Sequence, residues 1–313
     1  MEKLYARDLY GQTLLELGKK DPRVVVLDAD LSGSTRTAIF GKEFPERFFN
    51  VGVAEQNLMA TAAGLSSCGK IVFASTFAMF ATARPLDQIR NTVCYNNCNV
   101  KIVATHGGIT VGEDGASHQA IEDVGFLRPI PNIRIIVPCD AWEARAAVLA
   151  AYETEGPFYI RLGRSKARTV TQKPPFELGK GQTIEDGRDV ALVACGIMVN
   201  EALQARDVLK EQGISAAVIN MPTIKPVDED LIVRMAERFG KIVVCEEHQV
   251  IGGLYSAVCE VLARTRPVRV AAVAVDNKFG QSGNPEELMK HYGLTPGGIA
   301  DKAVNLCRQT SGN

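Results

Sequence analysis

No charge of one sign is in surplus: 35 Lys and Arg stand against 36 Asp and Glu, so the formal net charge is −1. Binding to nucleic acid or to an anionic membrane would need a clustered positive excess, and both readings lose their main support. Long apolar runs are also missing. The segment Val190 to Cys195 is typical of the longest, far below the ~20 residues that cross a bilayer. The opening MEKLYARDLYGQ has no apolar core of signal-peptide type, which predicts a cytoplasmic chain. None of the eight cysteines forms a C-x-x-C pair, so neither a zinc site nor a disulfide framework is indicated. Cys94 and Cys98, four residues apart, read as two small core residues. Walker A, G-x-G-x-x-G, H-E-x-x-H and G-x-S-x-G are absent. Readings as an ATPase, nicotinamide dehydrogenase, zincin or serine hydrolase have no motif to rest on.

What the chain does have is 46% hydrophobic and 23% charged residues over 313 positions, enough for a buried core and about two domains. Short β-branched runs alternate with amphipathic stretches, the signature of consecutive α/β domains with mainly parallel sheets. Strands are expected at Val24 to Leu27, Phe48 to Val51, Ile71 to Ala74, Val100 to Ala104, Ile133 to Val137 and Phe158 to Leu162. Helices are expected at Leu9 to Lys19, Glu55 to Leu65, Ala83 to Val93 and Ala141 to Tyr152. Ser165 to Asp189 is polar, rich in Lys, Gly and Pro, and lacks a helical stripe, which places the domain boundary there. The expected division is a first domain over 1–168, a linker over 169–188 and a second domain over 189–313. The second domain should carry strands at Val190 to Cys195, Ala216 to Ile219, Ile242 to Cys245 and Val268 to Val273. Helices at Val199 to Gln212, Asp228 to Arg238 and Leu254 to Arg264 complete it.

One segment is unusual. THGGITVGEDGASHQ, from Thr105 to Gln119, sets two of the four histidines and two carboxylates among glycines directly after an expected strand. Ligands of α/β proteins sit in such loops, and dense glycine implies positive φ or close backbone approach. Read without a family, His106 and His118 are either site residues or solvated loop histidines. Glu55 is either functional or a first-turn glutamate favoured by the helix dipole. Phe77 and Phe80 read as core, and Arg7 and Arg164 as exposed charges.

The strings DADLSGST, NVGVAEQNL, STFAMF, GEDGASHQ, YIRLGRS and DNKFGQSGNPEELMKHYGL together resemble the carboxyl-terminal half of transketolase, in order and over nearly the whole chain. That family has three domains, and this chain is similar to the pyrimidine-binding and carboxyl-terminal ones. The metal ligands of the family belong to the first domain. The resemblance therefore implies that a divalent metal (Mg or Ca) and the diphosphate of thiamine diphosphate are held by a separate amino-terminal subunit.

Position by position, the resemblance assigns Glu55 to the distal pyrimidine nitrogen of the cofactor. There a carboxyl group favours the imino tautomer, whose nitrogen takes the proton from the thiazolium carbon. Phe77 and Phe80 match ring-stacking positions, while Ala83 stands where transketolases carry a third aromatic. Asp30 is a further expected cofactor contact. His118 and Asp114 match residues facing the donor sugar's hydroxyls, where an imidazole can assist proton movement. Arg7, Ser34, His106 and Arg164 match a cluster holding the sugar phosphate, as guanidinium groups do well. RPLDQIRN, from Arg84 to Asn91, is closer to deoxyxylulose-phosphate synthases and oxoacid dehydrogenases. The implied activity is transfer of a two-carbon ketol unit between sugar phosphates, as in the pentose phosphate pathway, by a heterotetramer of two pairs. A subunit of one of those relatives, or a non-catalytic scaffold built on the same fold, are the alternatives.

Overall fold

The computed structural model describes residues 2–170 and 176–308; residues 171–175, within the expected linker, lie outside the described residues. The apolar runs VVVLD, IVFAS, VKIVA and FYIR form central parallel strands buried along their whole length, as strands covered on both faces must be. They belong to a seven-stranded sheet ordered Thr223–Lys225, Arg134–Ile136, Phe158–Arg161, Val100–Ala104, Ile71–Ser75, Val24–Asp28, Phe48–Asn50. Alternate side chains go to opposite faces. Val24 and Val26 pack with Tyr10, Leu14 and Ala147 under the helices Ala6–Lys20 and Ala141–Glu153. Val25 and Leu27 pack with Leu58, Met59 and Ile89 on the other face, under the helix Glu55–Ser67. Fully burying one such Leu or Ile contributes about 1.5–3 kcal/mol.

A second sheet is ordered Arg269–Val275, Lys241–Gln249, Val190–Ala194, Ala216–Asn220, Gln182–Glu185. Its strands are parallel except Gln182–Glu185, which runs antiparallel to Ala216–Asn220. That strand falls in the polar stretch whose composition suggested linker. The two halves are also joined by Thr223–Lys225, which leaves the second half to pair antiparallel with Arg134–Ile136 of the first sheet. Beside this crossing, Lys225 Nζ donates to the carbonyls of Arg128 (2.8 Å) and Ile130. Asn220 Nδ2 donates to the buried Glu143 at 2.7 Å.

Asp140 and Asp228 cap their helices by accepting from the backbone N–H three residues on, a helix-start signal legible in sequence. The helix expected over Ala83 to Val93 is present but starts three residues late, at Leu86. Ala78–Thr82 is followed by a turn containing Pro85 and then by Gln88–Cys94, because proline brings no backbone N–H and crowds the preceding turn. Gln88–Cys94 is wound wide, with Tyr95 N donating to Arg90 O (3.0 Å) and Cys98 N to Val93 O (2.9 Å). Cys94 is buried and Cys98 half-buried, both with free thiols. Among the described residues no helix is long and apolar enough to cross a membrane.

Candidate active site

Nearly every candidate residue lies just beyond the carboxyl end of a strand in the seven-stranded sheet. Asp30 and Ser34 follow Val24–Asp28, Glu55 follows Phe48–Asn50, and Phe77 and Phe80 follow Ile71–Ser75. His106, Asp114 and His118 follow Val100–Ala104, and Arg164 follows Phe158–Arg161. Parallel strands gather such loops at one edge, where α/β folds place ligands. Arg7 reaches the same edge from the first turn of the helix Ala6–Lys20; its guanidinium acts electrostatically on His106.

The aromatic wall is built by strand pairing. Thr105 N donates to Thr76 O at 3.1 Å and Ala78 N to Thr105 O at 2.7 Å, which sets Phe77 beside His106. Their rings stack at 3.7 Å between centroids with 21° between planes. Phe80 stacks on Phe77 at 6.1 Å, and His118 stands edge-on to Phe80 at 5.1 Å and 74°.

Glu55 opens the helix Glu55–Ser67 and is only 4% exposed. Its Oε1 accepts a 2.7 Å hydrogen bond from Arg84 Nη1, and the Arg84 guanidinium lies 4.1 Å from the Phe80 ring centroid. A buried carboxylate at a helix amino end, beside two aromatic faces, suits a flat heterocycle that presents a nitrogen to the carboxyl group.

The loop after Val100–Ala104 is held in a conformation that leans on its glycines. Gly108, Gly112 and Gly115 have φ of 92°, 83° and 75°, and His106 itself sits at 61°, a region L-residues rarely adopt. A Cβ on Gly108 would lie 2.2 Å from the Glu247 carboxyl carbon. Glu247 comes from the second half and accepts from Thr110 N at 2.6 Å. Gln119 Nε2 donates to Gln281 O at 2.9 Å, and Ser282 Oγ donates to Glu113 O at 2.5 Å. The second half thus shapes the loop that carries both histidines.

Behind that loop lies a buried ion pair. Arg161 Nε donates to Asp123 at 2.7 Å, and Arg161 Nη2 donates to the carbonyls of Ala120 (2.7 Å) and Glu247 (3.0 Å). Tyr159 donates to the same Asp123 oxygen at 2.5 Å.

Burial, reinforced by the positive charges of Arg7 and Arg164 and by His118, pushes the His106 pKa down to about 3. The ring is neutral at physiological pH and pairs through Nδ1 with Thr105 Oγ1 at 2.8 Å. Arg7 donates through Nη1 to the carbonyl of Ser34 at 3.3 Å, so the backbone of Ser34, not its hydroxyl, meets the guanidinium. Arg7 Nε is buried without a hydrogen-bond partner, an orphan donor suited to an anion. The Ser34 turn is held from below by Asp28, which accepts from Leu31 N (2.6 Å), Thr35 Oγ1 (2.7 Å) and Thr37 Oγ1 (2.8 Å); burial raises its pKa. Arg164 is engaged by Val111 O and, at 2.8 Å, by the exposed Glu113. Asp114 is exposed on the same turn.

Asp30 is exposed, and its contacts run to Asn50. Asn50 Nδ2 donates to Asp30 Oδ1 and Asp30 N to Asn50 Oδ1, both at 3.0 Å. Asn50 Oδ1 also accepts from Gly52 N, so the pair shapes the loop leading to Glu55. Arg84 and Glu247 join the site without having been expected from the sequence. Arg84 is the one charged residue in the stretch from Ala81 to Leu86, a signal that was there to be used. Nothing local marks Glu247.

Residues 2–169 match the family model described as "Transketolase, pyrimidine binding domain", and residues 179–299 match "Transketolase, C-terminal domain". The chain belongs to the transketolase family. This transketolase chain is 50% identical over 299 residues to a "Putative transketolase C-terminal section" of Methanocaldococcus jannaschii, covering 94% of each. It is 42% identical to a 6-deoxy-6-sulfo-D-fructose transketolase subunit of Clostridium sp. (strain MSTE9), covering 94% of this chain and 92% of that one. A solved structure described as "Split gene transketolase, inactive beta4 tetramer" superposes with a TM-score of 0.90 at 49% identity, covering 98% of this chain and 99% of that one. The pyrimidine-binding domain of transketolases implies thiamine diphosphate as cofactor, and Glu55, Phe77 and Phe80 fit its aminopyrimidine by burial, charge and shape. Among the described residues no three His, Cys, Asp or Glu side chains are grouped as metal ligands.

Proposed function

We propose that the chain is the carboxyl-terminal subunit of a two-chain transketolase, moving a two-carbon ketol unit from a ketose phosphate to an aldose phosphate. The observation that carries this reading is the convergence of buried Glu55 with Phe77, Phe80, His106 and His118 at one edge of the sheet. The metal and the cofactor's diphosphate belong, in this reading, to a separate amino-terminal subunit, and two such pairs close the sites between chains. When bound, thiamine diphosphate supplies the nucleophilic carbon and the electron sink.

This chain's residues do the rest. Glu55 holds the distal ring nitrogen and sets the tautomer. Phe80, backed by Phe77, offers the ring an aromatic wall. His118, half-buried against Phe80, is placed to move a proton at a donor hydroxyl, and Asp114 reads hydroxyl configuration. Arg7 and Arg164 supply charge for a terminal phosphate, and neutral His106 and Ser34 supply polar contacts without further charge.

The 6-deoxy-6-sulfo-D-fructose named for the Clostridium relative favours a second reading of the substrate. A sulfonate is also a tetrahedral oxyanion, and the same donors suit it. The test is to assemble the pair, add thiamine diphosphate and Mg, and assay products from xylulose 5-phosphate and from the sulfonated ketose with ribose 5-phosphate as acceptor. The phosphate is expected to be preferred, and Glu55→Gln is expected to remove transfer from an intact pair. Two-carbon transfer from neither donor refutes the proposal.

A further inference from the structure

Arg84 has no part in the chemistry just described, yet it meets both walls of the slot assigned to the pyrimidine. Its Nη1 donates to Glu55 Oε1 at 2.7 Å, and its guanidinium carbon is 4.1 Å from the Phe80 ring centroid. The side chain is 47% exposed while the carboxylate it meets is 4% exposed, so the arginine enters the slot from solvent. Its backbone is tied to the first turn of the glutamate's own helix, with Gln56 Nε2 donating to Arg84 O at 3.3 Å, and Pro85 stiffens the next residue. The side chain can therefore withdraw without moving the wall. A guanidinium is flat, lies on aromatic faces and donates in its plane to a carboxylate. Those are the properties an aminopyrimidine must show to the same two side chains.

We propose that Arg84 is a displaceable placeholder. Its guanidinium and the pyrimidine ring compete for one position between Glu55 and Phe80, so the arginine keeps the buried carboxylate paired and in place and leaves as the ring enters. The inference rests on the reading of Glu55 and Phe80 as pyrimidine contacts. Its consequence is a conformational tax on cofactor affinity, equal to the fraction of molecules in which the arginine has withdrawn. A permanent positioning residue would behave in the opposite way, its removal weakening binding.

The experiment is calorimetric titration of the assembled pair with thiamine diphosphate and Mg, in wild type, Arg84→Ala and Arg84→Lys. Arg84→Ala is expected to bind the cofactor about tenfold more tightly, and Arg84→Lys, which keeps the charge but not the flat fork, about threefold more tightly. Methylguanidinium should compete with the cofactor in Arg84→Ala and not in wild type. Should the alanine variant fail to assemble, the lysine variant alone decides the sign. Equal or weaker binding in the variants, with normal binding by wild type, overturns this inference and leaves the assignment of Glu55 standing. Failure of the wild-type pair to bind the cofactor overturns both.

Discussion

Replacing His106 by Asn removes a buried imidazole while keeping a side chain that tolerates the left-handed φ of 61° at this position. The unfolded chain takes up a proton on this histidine near pH 6.5, whereas the folded chain holds the ring neutral down to about 3. The contribution of the neutral ring is therefore complete above pH 6.5 and is lost as the pH falls toward 3. At ~1.4 kcal/mol per pH unit, about 2 kcal/mol is lost by about pH 5. The ring is 3% exposed, so solvent screening takes little from that figure. The variant loses the stack on Phe77 at every pH but lacks the acid-side slope. Urea unfolding of both proteins at about pH 7.5 and about pH 5 should show their stability difference shrinking by about 2 kcal/mol on acidification. A difference that stays constant or widens refutes the assignment of a neutral, strongly depressed histidine beside the two arginines.

Asp123→Ala leaves the Arg161 guanidinium and the Tyr159 hydroxyl buried without their shared acceptor, and should cost about 3–5 kcal/mol in unfolding by denaturant; a loss under ~1 kcal/mol contradicts the pairing. Gly108→Ala drives a Cβ to within 2.2 Å of the Glu247 carboxyl carbon at φ 92°, so the melting temperature should fall by several degrees, as expected for ~1–3 kcal/mol of strain. An unchanged melting temperature would show that the loop is not held against the second half as described.

The parallel core was legible because strands buried on both faces are continuous apolar runs, and Val24 to Leu27, Ile71 to Ala74 and Phe158 to Leu162 each form strands within about a residue of where composition puts them. Thr223–Lys225 was not legible: three residues become a strand only because Arg134–Ile136 offers an edge. The helix expected over Ala83 to Val93 begins only after Pro85, a local signal outweighed by the apolar pattern around it. At the site, the glycine-dense loop announced its positive φ angles, but the partners that hold it lie far along the chain. Glu247 is 137 residues from Thr110 and Arg84 is 29 residues from Glu55. Lys101 shows the same limit. Its ammonium is fully buried within a strand and donates to Thr154 O (2.7 Å) and Gly156 O (2.8 Å), and burial lowers its pKa to about 7. No periodicity identifies such a residue.

The central claim is that catalysis needs this chain and a separate amino-terminal subunit together. Titrating a fixed amount of this chain with that subunit, in the presence of thiamine diphosphate and Mg, measures it most directly through ketol transfer from xylulose 5-phosphate to ribose 5-phosphate. No transfer by either chain alone is expected, with activity rising to a plateau at equal amounts of the two and that plateau lost with Glu55→Gln. Sustained transfer by this chain alone, or a Glu55→Gln pair as active as wild type, would contradict it.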